Sequence, residues 1–127
     1  MADEIQISAT FKLSKGNHKV PTLGSGVTSI NQTGVGGGGP GTISAITTSN
    51  GTSIDTSGLT THGWGRFTNL DSTNYVQLGV VSGGTFYPFA RLKPNEPAAQ
   101  FRVEPGVALY AKANTSACKV LAQVWED

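Results

Sequence analysis

Turn signals recur roughly every eight to twelve residues along this chain, a spacing that suits short antiparallel strands and leaves no room for a long helix. They are Lys15-Gly16-Asn17, Asn50-Gly51, the run Asn69-Leu70-Asp71-Ser72-Thr73-Asn74, Ser82-Gly83-Gly84, Lys93 to Pro97, Pro105-Gly106 and Asn114-Thr115-Ser116. Each works by a known device. Glycine reaches backbone conformations closed to other residues, proline presets φ, and Asn or Asp side chains bond their own backbone. The intervals between them carry the β signature. Ile5, Ile7, Ala9, Phe11 and Leu13 alternate with Gln6, Ser8, Thr10 and Lys12, which is the period of a half-buried strand.

Read in this way, the chain is one all-β domain over residues 1–127, with an extended N-terminal strand and eight to ten short strands in all. An antiparallel β-sandwich of jelly-roll-like form is the expected architecture. After the first strand, His18 to Leu23 reads as an edge segment, because Pro21 cannot donate to a ladder. Val27 to Asn31 reads as a separate short strand. Asn50-Gly51 reads as a hairpin turn between Thr42–Thr48 and Thr52–Thr56. Trp64–Leu70 and Tyr75–Val81 read as a strand and its return. Thr85–Leu92, Gln100–Glu104, Val107–Ala113 and Ala117–Trp125 complete the set. No internal repeat is visible, which argues against a propeller or solenoid.

Composition supports this and narrows the function. Charged residues are 13% of the chain, about half the usual share, while Gly, Thr and Ser supply 17, 15 and 11 residues. Net charge is +1, and the basic residues are scattered from Lys12 to Lys119. Nucleic-acid binders concentrate positive charge, so no nucleic-acid partner is expected. No stretch approaches the ~18 apolar residues of a membrane span, and the N-terminus lacks the pattern of a secretory signal. The protein is expected to be made and kept in a cytosol, or packed into a particle there. Cys118 is the single cysteine and lies on the apolar alternation Cys118, Val120, Ala122, Val124, so it is read as a small buried hydrophobe.

Catalytic groups are hard to assemble. His18 and His62 are the two histidines, each in a polar or Gly-flanked segment, and no metal-ligand spacing exists. Of the inner carboxylates Asp55, Asp71, Glu96 and Glu104, Asp71 and Glu96 sit in turns, where capping explains them. No Gly-x-Ser-x-Gly elbow is present. No enzyme activity, metal or cofactor is therefore expected, and a hydrolase would have to use one of these inner carboxylates. The run Gly34-Val35-Gly36-Gly37-Gly38-Gly39-Pro40-Gly41 contains the Gly-x-Gly-x-x-Gly spacing, but a proline and a Thr/Ser/Ile segment follow where a dinucleotide site needs a helix. It reads instead as an adaptable loop that orders against a partner, with Gly36, Gly37, Gly38 and Gly39 as contact residues. Trp64, between Gly63 and Gly65, reads first as a core tryptophan and second as an exposed platform for a sugar or a partner side chain. Phe86, Tyr87 and Phe89 are too dense to be buried on one face, which leaves a side chain for a partner.

From Gly63 onward the segments GWGRFTNLDSTNYVQLGV, FARLKPNEPAAQFRVEPGVALYAKA and the terminal VWED resemble small virion proteins of tailed bacteriophages, most closely capsid decoration (cement) proteins. The resemblance covers about half of the chain, and its motifs are turns and strand edges. It implies a jelly-roll-like fold, residence in the virion after assembly in the host cytoplasm, and a homo-oligomer bound to the major capsid protein or another virion protein in many copies. A neck or tail position is the near alternative. A carbohydrate-binding or adhesion module, using Trp64 with Tyr75 and Tyr87, is the alternative from a different class.

Overall fold

The computed structural model describes residues 5–15, 18–30, 42–47, 49–56 and 58–126. Gly36 to Gly39, and the rest of the expected loop at 34–41, lie outside them. Within the described residues the chain is all strand and turn, with no helix. Where one domain over 1–127 is expected, the chain forms two compact units, Met1–Thr33 and Gly34–Asp127.

The first unit is a two-stranded antiparallel sheet of β1 (Ile5–Lys15) and β2 (His18–Ile30). Its ladder runs from Ile5 opposite Ile30 to Lys15 opposite His18. The separate segments expected at His18–Leu23 and Val27–Asn31 are one continuous strand. Two register shifts make this possible. Between Thr10 and Ser8 the partner advances from Gly24 to Val27, and between Leu13 and Phe11 it advances from Val20 to Leu23. Each step leaves one extra residue on β2, the definition of a bulge. One falls at Ser25-Gly26 and the other at Pro21-Thr22, so the proline sits where a missing N–H costs no ladder bond.

The second unit holds β3 (Thr42–Ile46), β4 (Thr52–Ser53), β5 (His62–Asn69), β6 (Val76–Ser82), β7 (Thr85–Leu92), β8 (Ala99–Arg102), β9 (Tyr110–Ala113) and β10 (Cys118–Glu126). They form two four-stranded antiparallel sheets, ordered β3-β10-β5-β8 and β4-β9-β6-β7. The wiring is regular. The first strand of the unit pairs with its last, the second with the seventh, the third with the sixth and the fourth with the fifth. The pairs β10–β5 and β6–β9 then join these ladders side by side.

The inner faces of both sheets supply one core. Phe67, Val120, Ala122 and Val124 come from the first sheet, Val76, Leu78, Leu92, Ala111 and Ala113 from the second, and Ile46, Ile54, Val103, Leu109 and Cys118 complete it. Among the described residues no polar or charged side chain is fully buried. Period-two burial along β10 puts Cys118, Val120, Ala122 and Val124 inward, so Cys118 is the small buried hydrophobe expected of it. Along β5 the inward positions are Gly63, Gly65 and Phe67. The Phe67 ring lies over Gly65, where an added Cβ would stand 2.7 Å from it.

This corrects the first reading of Trp64. It has the opposite parity to Phe67, is half-buried on the outer side of its sheet, and is not part of the core. Most expected hairpins are corrected too. β3 and β4 lie in different sheets, so Asn50-Gly51 carries a crossing rather than a hairpin. The turn at Asn69–Asn74 likewise passes from one sheet to the other. Among the described residues the one hairpin in this unit is β6–β7, where Gly83 and Gly84 have φ of 57° and 78°. Two successive positive φ values in a two-residue loop match the twist of the flanking strands.

Candidate functional site

Each sheet ends in an edge strand, and β7 is the longer of the two that follow the central hairpin. Ladder partners change from Ala90 opposite Leu78 to Pro88 opposite Gly79, which makes Phe89 the extra residue of a bulge. Bulge and proline together make this edge a poor template for another strand. Its side chains are nonetheless apolar and outward. Tyr87 is 54% exposed and Phe89 56%. Phe89 meets Phe101 of β8 edge-on, with ring centroids 5.8 Å apart, and Phe101 stacks on the buried Phe67 at 5.1 Å. A line of three rings thus runs from the surface to the core, and it holds the exposed Phe89 in place.

Phe86 is used differently. Its ring lies over Gly79, 2.8 Å from where a Cβ would stand, and beside Gly51. It is half-buried. Of the three aromatics singled out in this run, two are therefore presented outward and one covers a neighbouring strand. Leu70 is a further exposed apolar side chain, 47% exposed within an otherwise polar turn. Its signal in the sequence is an isolated leucine between Asn69 and Asp71.

On the outer side of β5, Trp64 and Thr68 share one face, and a register shift between Gly65 and His62 takes His62 out of that alternation. His62 Nδ1, Trp64 Nε1 and Thr68 Oγ1 are buried atoms without a hydrogen-bond partner. The Arg102 guanidinium stands 6.0 Å from the Trp64 ring. Tyr75 precedes β6, in the other sheet, and is covered by the Arg91 guanidinium at 4.1 Å. Trp64 thus belongs to one sheet, while Tyr87 belongs to the other and Tyr75 directly precedes that sheet's β6.

The carboxylates are occupied or dispersed. The Asp71 carboxylate accepts the backbone N–H groups of Thr73 and Asn74, while Asn69 Oδ1 accepts the N–H of Asp71 at 2.9 Å. Those bonds, first from Asn74 and then from Thr73, hold the Asp71 carboxyl below its ordinary range. Asn69 also donates to the carbonyls of Asn74 and Leu92, and Asn74 donates to Ser116 at 2.9 Å. This polar clasp ties one end of the fold together. Beside it, burial first and the Asp71 charge second push the Cys118 thiol up. Its Sγ donates to the Ser116 carbonyl at 3.3 Å. A raised thiol is a poor nucleophile. No group of three or more metal-ligating side chains occurs among the described residues, and no helix long and apolar enough to cross a membrane occurs among them.

Compared with protein-family models, curated proteins and solved structures, the chain matches none.

Proposed function

We propose that this protein is a structural component of a bacteriophage particle, a decoration protein that binds the outer shell in many copies through the β7 edge. The observation that carries the reading is the strand order β3-β10-β5-β8 and β4-β9-β6-β7. That order supports a jelly-roll reading, an architecture shared by viral capsid and lectin domains. Fold alone does not assign function, so the reading leans also on the virion-like segments from Gly63 onward and on the outward pair Tyr87 and Phe89. Exposed aromatics on a rigid support lose little conformational freedom when a partner covers them, which suits an attachment surface.

Binding to particles lacking this protein tests the reading. Purified protein is added to such particles and its recovery with them is measured by sedimentation. Saturable recovery is expected, and the pair Tyr87→Ser and Phe89→Ser is expected to lower affinity by about 3 kcal/mol or more, the scale of removing two interface anchors. Unsaturable or absent binding contradicts it.

Because lectin domains share the jelly-roll wiring, a glycan-binding module is the second reading. Trp64 is the residue to test. Glycan-array binding lost in Trp64→Ala, with the fold intact, would move the protein to that class.

A further inference from the structure

The crossing between β3 and β4 places separate demands on two neighbouring residues. Gly51 has a φ of 99°, and a Cβ there would stand 3.0 Å from the Phe86 ring and 3.3 Å from Val81. Glycine meets both the left-handed backbone and the close approach. Asn50 precedes it and is exposed, and its Nδ2 donates to the Gly84 carbonyl at 3.2 Å. That bond latches the crossing onto the β6–β7 turn. The Gly51 N–H donates to the Ser49 carbonyl, a bond that makes Asn50 the centre of a γ-turn. The hydroxyls of Thr47, Ser49 and Thr52 are hydrogen-bonded in a chain, at 2.7 and 3.1 Å, and tie the two ends of the crossing together.

The same pair carries a chemical liability. The backbone nitrogen after an asparagine can attack the side-chain amide and close a five-membered succinimide. A side chain on the attacking residue obstructs that closure, and glycine has none. Asn17, Asn31, Asn69, Asn74, Asn95 and Asn114 are followed by His, Gln, Leu, Tyr, Glu and Thr, and Asn50 alone by glycine. Asn69 is held besides by its bonds to the Asn74 and Leu92 carbonyls. In the folded chain both reacting groups at Asn50 are engaged as well. The Gly51 proton, which has to leave before the nitrogen attacks, is held by the Ser49 carbonyl. The amide that departs is held by Gly84. The Phe86 ring against Gly51 restricts the backbone rotation that ring closure needs.

We propose that Asn50 is a self-modification site, a deamidation point that the folded crossing holds in check. Opening of the crossing frees the Gly51 nitrogen. That nitrogen bonds to Asn50 Cγ while the Cγ–Nδ2 bond breaks, and Nδ2 leaves as ammonia with the Gly51 proton. Water then cleaves either bond from that nitrogen. Release of Cγ gives aspartate in a normal backbone, and release of the main-chain carbonyl gives isoaspartate with an extra backbone methylene. No oxidant or reductant is needed. Either product leaves a carboxylate where the amide stood, with no donor for the Gly84 carbonyl, so the latch is lost permanently. This chemistry concerns the chain alone and holds whether or not the particle reading does.

Incubation of the full chain at mildly alkaline pH, in buffer and in denaturant, followed by peptide mapping with isoaspartate detection, tests it. In denaturant Asn50 is expected to convert before any other asparagine. In buffer its conversion should be at least about tenfold slower, as for a group reached only through local opening. Phe86→Ala, which uncovers Gly51, should narrow that gap in buffer and leave the rate in denaturant unchanged. Asn50→Gln, whose longer side chain cannot form the five-membered ring, should abolish the conversion in both. Asn50→Asp, the product itself, should speed hydrogen exchange across residues 82–86. Equal rates with and without denaturant, no conversion of Asn50 in denaturant, or earlier conversion at another asparagine would overturn the proposal. Unchanged exchange in Asn50→Asp would overturn the latch. Wild type alone decides the rate comparison, so the test holds even where Phe86→Ala fails to fold.

Discussion

At Gly79 the β6 strand has no room for a side chain. A Cβ there would overlap the Tyr87 carbonyl oxygen, which is backbone, and would press into the Phe86 ring. Gly79→Ala should therefore cost about 2–4 kcal/mol, the range of strained, overpacked sites, measured as a lowered denaturation midpoint. Gly83 differs, since nothing stands near its missing Cβ and its φ is 57°. Gly83→Asn, which tolerates that φ, should change stability by less than about 0.5 kcal/mol. Asp71 sets a pH dependence. Its folded pKa is depressed by backbone N–H donors, so its contribution is present above the ordinary carboxylate range and is lost as pH falls through the lower, folded value. Unfolding followed between pH 7 and pH 2 should show that loss in wild type, and Asp71→Asn should show less of it. Cys118 is 3% exposed and its thiol is raised. A thiol reagent should label it at the rate of unfolding, and labelling of the folded protein within seconds would contradict its placement in the core.

At the scale of elements, β5 separates the residues that hold the fold from those that face outward. Phe67→Ala should destabilise by about 3–5 kcal/mol, as for other buried aromatics, whereas Trp64→Ala, outside the core, should cost clearly less. Calorimetric midpoints of the two variants give the comparison directly. From the sequence alone Trp64 reads as the core aromatic of this strand. The deciding pattern is Gly63-x-Gly65-x-Phe67 at period two, in which two glycines occupy inward positions so that one ring can cover the gap. The turns show the same division between what is local and what is not. All the signals from Asn50-Gly51 to Asn114-Thr115-Ser116 mark real chain reversals, because Gly, Asn and Asp chemistry is decided within a few residues. Whether a reversal closes a hairpin or crosses between layers depends on which distant strand completes the core. Asn50-Gly51 joins strands whose partners are β10 and β9, more than fifty residues away. That pairing is set by burial of the whole inner face, and no local motif carries it. Phe86, Tyr87 and Phe89 were legible as too dense for one face, but the bulge that leaves Phe89 without a ladder partner on β6 is a register effect.

For the molecule as a whole, the second unit encloses one apolar core between its sheets and leaves Tyr87 and Phe89 exposed on the β7 edge. The body holds itself together through one apolar core and a clasp of asparagines. Its reactive groups are spent locally, Asp71 on its turn and Cys118 in the core. Under the proposed reading, the contact area at the surface is chiefly Tyr87 and Phe89 at the β7 edge. Many copies crowded on one surface also favour a chain of low charge, and this one carries a net +1. The claim that this surface belongs to a phage shell is tested most directly by counting the protein in purified particles, using isotope-labelled peptides and mass spectrometry referenced to the major capsid protein. The account predicts a copy number of the same order as the shell protein's own. A handful of copies per particle would place the protein at the neck or tail, and its absence from the particles would contradict the account.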